Sequence, residues 1–394
     1  MNVPAAAWDV VWCDLAEAAP ELRAEWLELM ERTGADVCFD PDWLAAWAEG
    51  PGRGLRVRVM TARAEGRLVA LLPFAIGRVG PLRMRLARVA GGDPLAPLMR
   101  LPAENDAAAS ALAAALDRLL GAEGCAAVSF TPVSEALEAP ETIRTASKGR
   151  ILHETPAGVH TLFRLPAGFE AYLAGLSKKR RNLFRRELRQ LGEGRALESA
   201  AIAPSERDFD AFRALHDRQW QAAGRPGHFG DWPDAAAFHR ALTQTLAPRG
   251  VMRLDRLSDE AGPIAEQLLY VSGGVAWWRL PARRLDPDTE KLGAGRIGLV
   301  LMLERLIGEG VRVVEGGAGD YDYKKTWGGE AVPLRRMIVR PPGSGVGLRV
   351  LLAWADLLHL SYYRIWVLKL APRVSRRLGR RRRPLWRTWI RSRI

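Results

Sequence analysis

Apolar and polar residues follow two different periods along the chain, and together these periods predict a mixed α/β fold. Apolar positions three or four residues apart predict helices over residues 20–32, 41–48, 106–120, 167–191, 206–223, 233–246 and 294–308. Shorter apolar or alternating runs, bounded by turn residues, predict strands over residues 56–76, 126–130, 251–280 and 311–314. Turns that contain glycine divide the first of these runs into two strands and the third into three.

The predicted elements occur in a similar order in the two halves of the chain. In each half, two strands joined by a glycine-containing turn precede a helix and a further strand. Gly66 and Ala70 in the first half have counterparts in Gly262 and Ala265, about 195 residues later. This repetition predicts two tandem α/β units and a C-terminal tail, with bounds at residues 1–160, 161–345 and 346–394.

The composition fits a globular protein, because 48% of the 394 residues are hydrophobic and 26% are charged. Cys13, Cys38 and Cys125 are far apart, which argues against a disulfide framework and against a zinc site. We therefore expect no metal and a cytoplasmic location. No apolar run is long enough to predict a membrane-spanning helix, and the N-terminus lacks the pattern of a signal peptide.

The net charge of +13 is concentrated in the tail. Thirteen of the 58 Lys and Arg residues, but only one of the 45 acids, lie in residues 347–394, so this segment carries +12. Trp386 and Trp389 lie among its arginines, a pattern typical of contact with an anionic membrane surface. We expect peripheral contact at the inner face of the membrane. RNA binding would use similar residues, and the first half of the tail would also suit packing on the second unit.

Four consecutive cations begin the predicted helix that follows Ser177, a good N-cap residue. Lys178, Arg180 and Arg181 lie in its first turn, where the helix dipole favours acids instead. The arrangement predicts a docked anion, such as a phosphate of a cofactor, of a nucleotide-linked substrate or of RNA. A solvated basic face remains the alternative.

A glycine-rich turn precedes the predicted helix 294–308. Gly293, Gly295 and Gly298 match the spacing GxGxxG, but no strand comes directly before them, so the turn is not a dinucleotide fingerprint. Backbone N–H groups at such a helix start, helped by Arg296, suit a pyrophosphate. Glu290 places an acid nearby, and a helix-start turn without a ligand remains the alternative.

Several stretches together resemble one family. They are FDPDWLAAW (39–47), FEAYLAGLSKKRRNLFRRELRQL (169–191), GPIAEQLLYVSGGVAWW (262–278), LGAGRIGLVLMLERLI (292–307) and GAGDYDYKKTWG (317–328). They resemble the CelD/BcsL-type, BioF-like acetyltransferases of the GNAT superfamily, which are related to the FemAB peptidyltransferases. The resemblance covers about residues 35–340 and implies an α/β fold of tandem GNAT-like, FemAB-like acyltransferase domains with a basic C-terminal helical tail. It also implies acetyl-CoA or another acyl-CoA as the donor, bound at the glycine turn.

The resemblance also implies the catalytic residues. Lys324 holds the position of a FemAB lysine that stabilises the oxyanion of acyl transfer, a role that suits a fixed cation in an aromatic frame. Tyr323 would exclude water or move a proton, and Asp320 would hold the lysine or accept the proton of the acceptor amine. Trp327 would line the substrate site. The alternative is that Lys324 forms a surface ion pair with Asp320 or Asp322.

Three functions stay open at this point. The first is transfer of an acyl group, which the resemblance implies to be acetyl, from acyl-CoA to an amine or hydroxyl of a small-molecule or saccharide acceptor. That acceptor would be a cell-envelope or exopolysaccharide precursor. The second is FemAB-like transfer from aminoacyl-tRNA, the one case that involves nucleic acid. The third is a non-catalytic accessory role in polysaccharide synthesis at the membrane, which Glu290 favours.

Overall fold

Twelve strands and thirteen α-helices make up the part of the chain that the structure, a computed structural model, describes. That part comprises residues 8–79, 83–92, 97–222, 227–230, 234–341 and 346–358, together with residues 360, 361, 365, 369, 370 and 373. The strands are β1 (Asp9–Asp14), β2 (Arg56–Ala64), β3 (Arg67–Val79), β4 (Met84–Val89), β5 (Val128–Ser134), β6 (Ile151–Arg164), β7 (Glu198–Ile202), β8 (Met252–Asp259), β9 (Gly262–Ser272), β10 (Val275–Arg283), β11 (Val313–Ala318) and β12 (Gly329–Arg340).

The helices cover both faces of the sheet. They are α1 (Leu15–Glu21), α2 (Arg23–Thr33), α3 (Pro41–Glu49), α4 (Asp106–Ala122), α5 (Ala139–Ala146), α6 (Phe169–Gly175), α7 (Lys178–Gly192), α8 (Glu206–Ala222), α9 (Ala235–Thr245), α10 (Pro287–Lys291), α11 (Ala294–Gly308), α12 (Asp322–Thr326) and α13 (Val346–Leu358). The helix predicted over residues 167–191 is two helices, because Leu176 and Ser177 adopt extended backbone between α6 and α7.

The strands form one continuous sheet in the order β1-β2-β3-β4-β5-β12-β6-β11-β10-β9-β8-β7. Its two halves have the same plan. An antiparallel run, β1 to β4 or β7 to β10, leads through α4 or α11 to a strand that pairs in parallel with the last strand of the run. The predicted α/β fold with tandem units is therefore confirmed.

The two units exchange their last strands at the centre of the sheet. β6 follows the first unit in sequence but pairs with β11 of the second, and β12 follows the second unit but pairs with β5 of the first. β6 and β12 also pair with each other over most of their length. The domain limit predicted at residue 160 thus falls inside β6.

Apolar side chains are buried on both faces of the sheet. The largest cluster joins the first unit to α8 and α9 and includes Trp277, whereas the second cluster surrounds α11 and includes Trp278. These neighbouring tryptophans of β10 point to opposite faces, and both are buried because each face is covered.

The C-terminal segment begins with α13, which packs on the sheet through Leu348 and Leu351. The tail residues that the sequence singles out, 380–383 with Trp386 and Trp389, lie outside the described residues. Among the residues that are described, no helix is long and apolar enough to cross a membrane.

Candidate active site

The sheet opens between β10 and β11. Their parallel ladder joins residues 275–277 to residues 313–315 and then ends. Beyond it, β10 continues along β9 with an irregularity between Trp278 and Leu280, and β11 continues along β6 with one between Glu315 and Ala318. We call this opening the wedge. Ligand sites in α/β sheets commonly lie at such places, beyond the carboxyl ends of parallel strands.

Lys324 lies at the wedge. The short helix α12 turns its side chain inward, where only 6% of the residue is exposed. Its Nζ donates a hydrogen bond to the carbonyl oxygen of Gly316 on β11. The same nitrogen lies 5.5 Å from the ring centre of Trp278 on β10, so the ammonium bridges the two strands where they separate.

Two tyrosines complete an aromatic frame around this ammonium. The ring centres of Tyr321 and Tyr323 lie 4.9 and 5.8 Å from Lys324 Nζ. Each tyrosine is half exposed, whereas the lysine that they flank is buried. Burial raises the pKa of Tyr323 to about 12, which keeps its hydroxyl protonated and able to donate.

The surroundings of Lys324 shift its pKa. Burial lowers the pKa of Lys324 to about 8; the nearby Glu315 carboxylate opposes this shift and the Arg279 guanidinium adds to it. Its charge therefore changes near neutral pH, as is common for groups at functional sites.

A buried network that the sequence analysis did not predict holds Glu315. His160 Nδ1 lies 3.0 Å from Glu315 Oε1, and His160 Nε2 lies 2.8 Å from Ser134 Oγ. The backbone N–H of Gly317 also donates to Glu315 Oε1, at 2.8 Å. Glu315 Oε2 makes no hydrogen bond among the described residues. Oε1 of this carboxylate is thus fixed by two hydrogen bonds, and the carboxylate acts on the nearby Lys324 through its charge.

The order Ser134–His160–Glu315 resembles a serine-hydrolase triad, but burial argues against that chemistry. All three residues are fully buried, and Ser134 Oγ also accepts a hydrogen bond from the Ala136 N–H. A nucleophilic serine must reach its substrate. The network therefore serves to orient Glu315. His160 and Ser134 lie on the central strands, and no strand was predicted over β6.

Asp320 does not contact Lys324 as the sequence analysis expected. Its carboxylate lies 2.9 Å from Lys325 Nζ, and Asp322 lies 3.3 Å from the same nitrogen. The predicted surface ion pair exists, but Lys325 forms it, because α12 turns Lys325 outward and Lys324 inward. The interpretation of Lys324 as a surface ion pair is therefore wrong.

Trp327 lies in the core and does not line an open substrate surface. Only 2% of it is exposed, and its ring packs edge-on against Phe184 of α7. The hydroxyl of Tyr172 donates to its carbonyl oxygen at 2.8 Å. These contacts anchor the end of α12 to α6 and α7, so Trp327 positions Lys324.

The glycine turn begins α11 as predicted. Gly293 is the N-cap in the left-handed region, with φ of 70°, and the Arg296 side chain folds back over it so closely that a Cβ there would lie 2.1 Å from Arg296 Cζ. Gly298 lies in the helix, where a Cβ would lie 2.9 Å from the Cβ of Ala265 on β9. Gly298 thus allows α11 to approach the sheet, and the first N–H groups of the helix remain without intrahelical partners.

Arg296 is held at this turn by an ion pair. Its Nε lies 2.6 Å from Glu187 Oε2, and a second nitrogen bonds the other oxygen of this buried carboxylate on α7. Glu290 likewise pairs with Arg283, at 2.5 Å. The Arg283 guanidinium therefore offsets the negative charge of Glu290, the residue that favoured a non-catalytic role.

The basic start of α7 divides into two parts. Arg181 binds the carbonyl oxygens of Leu173, Ala174 and Leu176 and so caps the end of α6. These bonds use only the Nη1 atom of Arg181, so its predicted phosphate contact stays a prediction. Lys178 is exposed and Arg180 half-buried, so both are accessible to a ligand.

A pair of histidines, His216 and His228, lies beside β10. His216 Nδ1 is 2.7 Å from the carbonyl oxygen of Pro281 on β10, and His216 Nε2 is 3.2 Å from His228 Nδ1. Burial lowers the pKa of His228 to about 3, and the charges of Arg279 and Lys324 contribute. Because the charge of Lys324 contributes to this lowered pKa, His228 lies within electrostatic range of the wedge.

No metal centre is found in the described part of the chain, where no three His, Cys, Asp or Glu side chains are grouped to hold an ion.

Comparisons with known proteins identify the class. Residues 178–325 match the family model described as acetyltransferase (GNAT) domain. The match begins at α7 and ends at Lys325, so it contains the glycine turn, the wedge and Lys324. No curated protein matches the chain.

Solved structures give the fold. FemX is 11% identical, with a TM-score of 0.59 over 79% of this chain and 95% of that chain. The C-terminal domain of a putative lysylphosphatidylglycerol synthetase from Agrobacterium fabrum is 13% identical (TM-score 0.49; 87% and 97% covered). A tandem GNAT protein from the clavulanic acid biosynthesis pathway is 17% identical (TM-score 0.44; 86% and 99% covered).

The chain thus carries a GNAT acetyltransferase domain in a FemX-like tandem fold, and it is an acyltransferase. The narrower resemblance to CelD/BcsL-type enzymes stays a prediction.

Proposed function

We propose that this acyltransferase moves an acyl group, in the first instance acetyl, from acyl-CoA to an amine or hydroxyl acceptor. The observation that carries the proposal is the placement of the buried Lys324 ammonium across the wedge, in the same matched domain as the glycine turn that begins α11. One GNAT domain thus contains both a fixed cation and a helix start whose N–H groups suit a pyrophosphate.

In the proposed reaction the acceptor N or O attacks the thioester carbonyl carbon and the C–S bond breaks. The carbonyl oxygen becomes negative in the transition state, and the Lys324 ammonium stabilises it in a water-poor setting. The acceptor loses one proton and the leaving thiolate gains one, so the reaction needs no further reactant. Tyr323, protonated and beside Lys324, would pass its proton to the thiolate and take up the proton that the acceptor loses.

Glu315 acts as a positioning residue in this scheme. Its carboxylate raises the pKa of Lys324 against the effect of burial, and so favours the charged lysine that the transition state needs. His160 and the Gly317 N–H fix the carboxylate in place. Asp320, bound to Lys325, has no direct part in this scheme.

The donor would lie along the start of α11. Its pyrophosphate would accept hydrogen bonds from the backbone N–H groups of Ala294 and Gly295, the first two of the helix, and from the outer edge of the Arg296 guanidinium. Glu187 occupies only two of the five N–H groups of Arg296, which leaves others for a phosphate. Lys178 and Arg180 are available for more distant phosphates.

The acceptor would enter on the side of His228. We propose a cell-envelope or exopolysaccharide precursor, and support for this class comes from the resemblance to CelD-type enzymes.

Acceptor-dependent release of CoA thiol from acetyl-CoA tests the proposal, using a panel of amino sugars and sugar hydroxyls. Lys324→Met should lower kcat at least ~100-fold, the size expected when one oxyanion-stabilising group is removed. Lys325→Met is the matched control, because this neighbouring lysine forms only an exposed ion pair, and it should retain activity. Equal activity of the two variants would contradict the role of Lys324.

Aminoacyl-tRNA is the second candidate donor, and the exposed cations of α7 favour it. Lys178, Lys179, Arg185 and Arg186 are all exposed on this helix, as an RNA-binding surface requires. Binding of charged tRNA that persists at physiological salt, without binding of acetyl-CoA, would establish this donor instead.

A further inference from the structure

The helix α13 has two apolar faces, and the described residues cover only one of them. Leu348 and Leu351 are 2% and 1% exposed and pack against Leu86, Ala127 and Ile338. This small cluster fixes the helix on the body of the protein.

The second apolar face points away from the body. Val346, Val350 and Leu357 are 73%, 44% and 63% exposed, Ala353 between them is exposed, and Leu360 beyond the helix is 47% exposed. These five residues follow one another at intervals of four, three, four and three, which places them in one stripe along a helix. We call them the outer stripe. It is a continuous apolar surface, which needs an explanation that a single exposed leucine does not.

The charges around the outer stripe are almost all positive. The single acid of residues 347–394, Asp356, forms an ion pair with Arg336 of β12 at 2.7 Å. Arg349 beside the stripe and the described residues Lys369 and Arg373 are exposed. The chain that follows adds the remaining arginines, and the segment carries +12.

We propose that the outer stripe binds the surface of an anionic lipid bilayer, with α13 lying in the plane of the interface. An apolar stripe flanked by cations is the pattern of interfacial helices, whose attachment sums apolar burial and attraction to anionic headgroups. A second copy of the chain fits less well, because two segments of +12 would repel each other and only one acid is present in each. An RNA partner would bind the arginines, but it would give the apolar outer stripe no partner. The active site would then act on acceptors at the membrane.

Flotation of the full chain with vesicles tests the proposal. The vesicles are phosphatidylcholine alone, or phosphatidylcholine mixed with phosphatidylglycerol. The test variant is Val350→Glu with Leu357→Glu, which changes only exposed positions. Removing the segment from Gly347 would be a poorer test, because it would uncover Leu86, Ala127 and Ile338. Val11→Glu, at a 50% exposed valine on the edge strand β1, is the matched control.

The expected result is binding to phosphatidylglycerol vesicles by the wild type and by Val11→Glu, weakened by salt. The double variant should partition at least ~10-fold less. Retention of acyltransferase activity in solution shows that it is folded.

Equal flotation of the double variant and the wild type would overturn the proposal, and so would wild-type binding to pure phosphatidylcholine alone. If the wild type instead fails to float but forms a dimer that the double variant loses, the stripe is a contact between copies of the chain. Acyl-transfer activity in solution does not depend on these outcomes, so this test and that of the proposed function can fail separately.

Discussion

At the scale of single residues, two adjacent lysines have different environments, and this difference separates a candidate catalytic group from a surface ion pair. Lys324 is buried between the aromatic rings, whereas Lys325 is bound to Asp320 and Asp322 on the surface. The family resemblance assigned the oxyanion role to Lys324 and kept a surface ion pair of the same lysine as the alternative. It left open which alternative holds, because the facing of a five-residue helix depends on what packs beneath it.

The pH dependence of kcat should report the charge of Lys324. If the ammonium is the active form, activity is full below a pKa of about 8 and falls as the pH rises through it. Glu315→Gln removes the carboxylate that keeps this pKa up, so the falling limb should move to lower pH. pH–rate profiles of the wild type, Glu315→Gln and Lys325→Met measure this, and the last should match the wild type. A rate that rises through pH 8, with an acceptor that does not itself titrate there, would mean that neutral Lys324 is the active form.

Stability should vary in the opposite direction with pH. The folded pKa of Lys324 is below its ordinary value of 10.5, so protonation is disfavoured in the folded state. The unfolded chain binds more protons between about pH 8 and 10.5, and stability therefore rises with pH in this window. From pH 7 to pH 10 the unfolding free energy of the wild type should gain on the order of 2 kcal/mol relative to Lys324→Met. Urea titrations at several pH values test this, and a constant difference would show that Lys324 is not buried as described.

At the scale of elements, the ion pair between Arg296 and Glu187 ties α11 to α7. Arg296→Gln should weaken acyl-CoA binding about 10- to 100-fold, the effect of losing a charged hydrogen bond to phosphate. The single variant also leaves the Glu187 carboxylate buried without a partner and should unfold more easily.

The variant with both Arg296→Gln and Glu187→Gln separates the two effects. It should regain stability but not affinity, as measured by thermal unfolding and by titration with acyl-CoA. Glu187→Gln alone should keep most of the affinity. Wild-type affinity in the double variant would show that Arg296 takes no part in donor binding.

The elements also show what could be predicted from the sequence. The strands from β8 to β10 and helix α11 were predicted from the spacing of their apolar residues. The glycine turn was placed correctly at the start of that helix. The central strands β6 and β12 were missed. Each contains a proline, Pro156 or Pro333, which argues against a central strand. The ladder between them is irregular near both prolines, which allows them to be accommodated. His160 and Ser134 could not be assigned without β6, whose pairing brings them to Glu315.

On the scale of the whole molecule, the exchange of β6 and β12 makes the two units interdependent. Residues 1–160 contain β1 to β5 but lack β12 and the end of β6, so β5 would present an unpaired edge. The intact chain should unfold in one cooperative transition by both circular dichroism and tryptophan fluorescence. A fragment of residues 1–160 should be unfolded or aggregated. Two separate transitions, or a stable folded fragment, would show that the units are independent.

The central claim is that the glycine turn and wedge of this acyltransferase bind acyl-CoA while Lys324 serves the chemistry. The most direct test is calorimetric titration of acetyl-CoA into the wild type and into Lys324→Ala. We predict micromolar binding to both, with turnover only in the wild type. Absence of binding to the wild type would contradict the account and move the donor assignment to aminoacyl-tRNA.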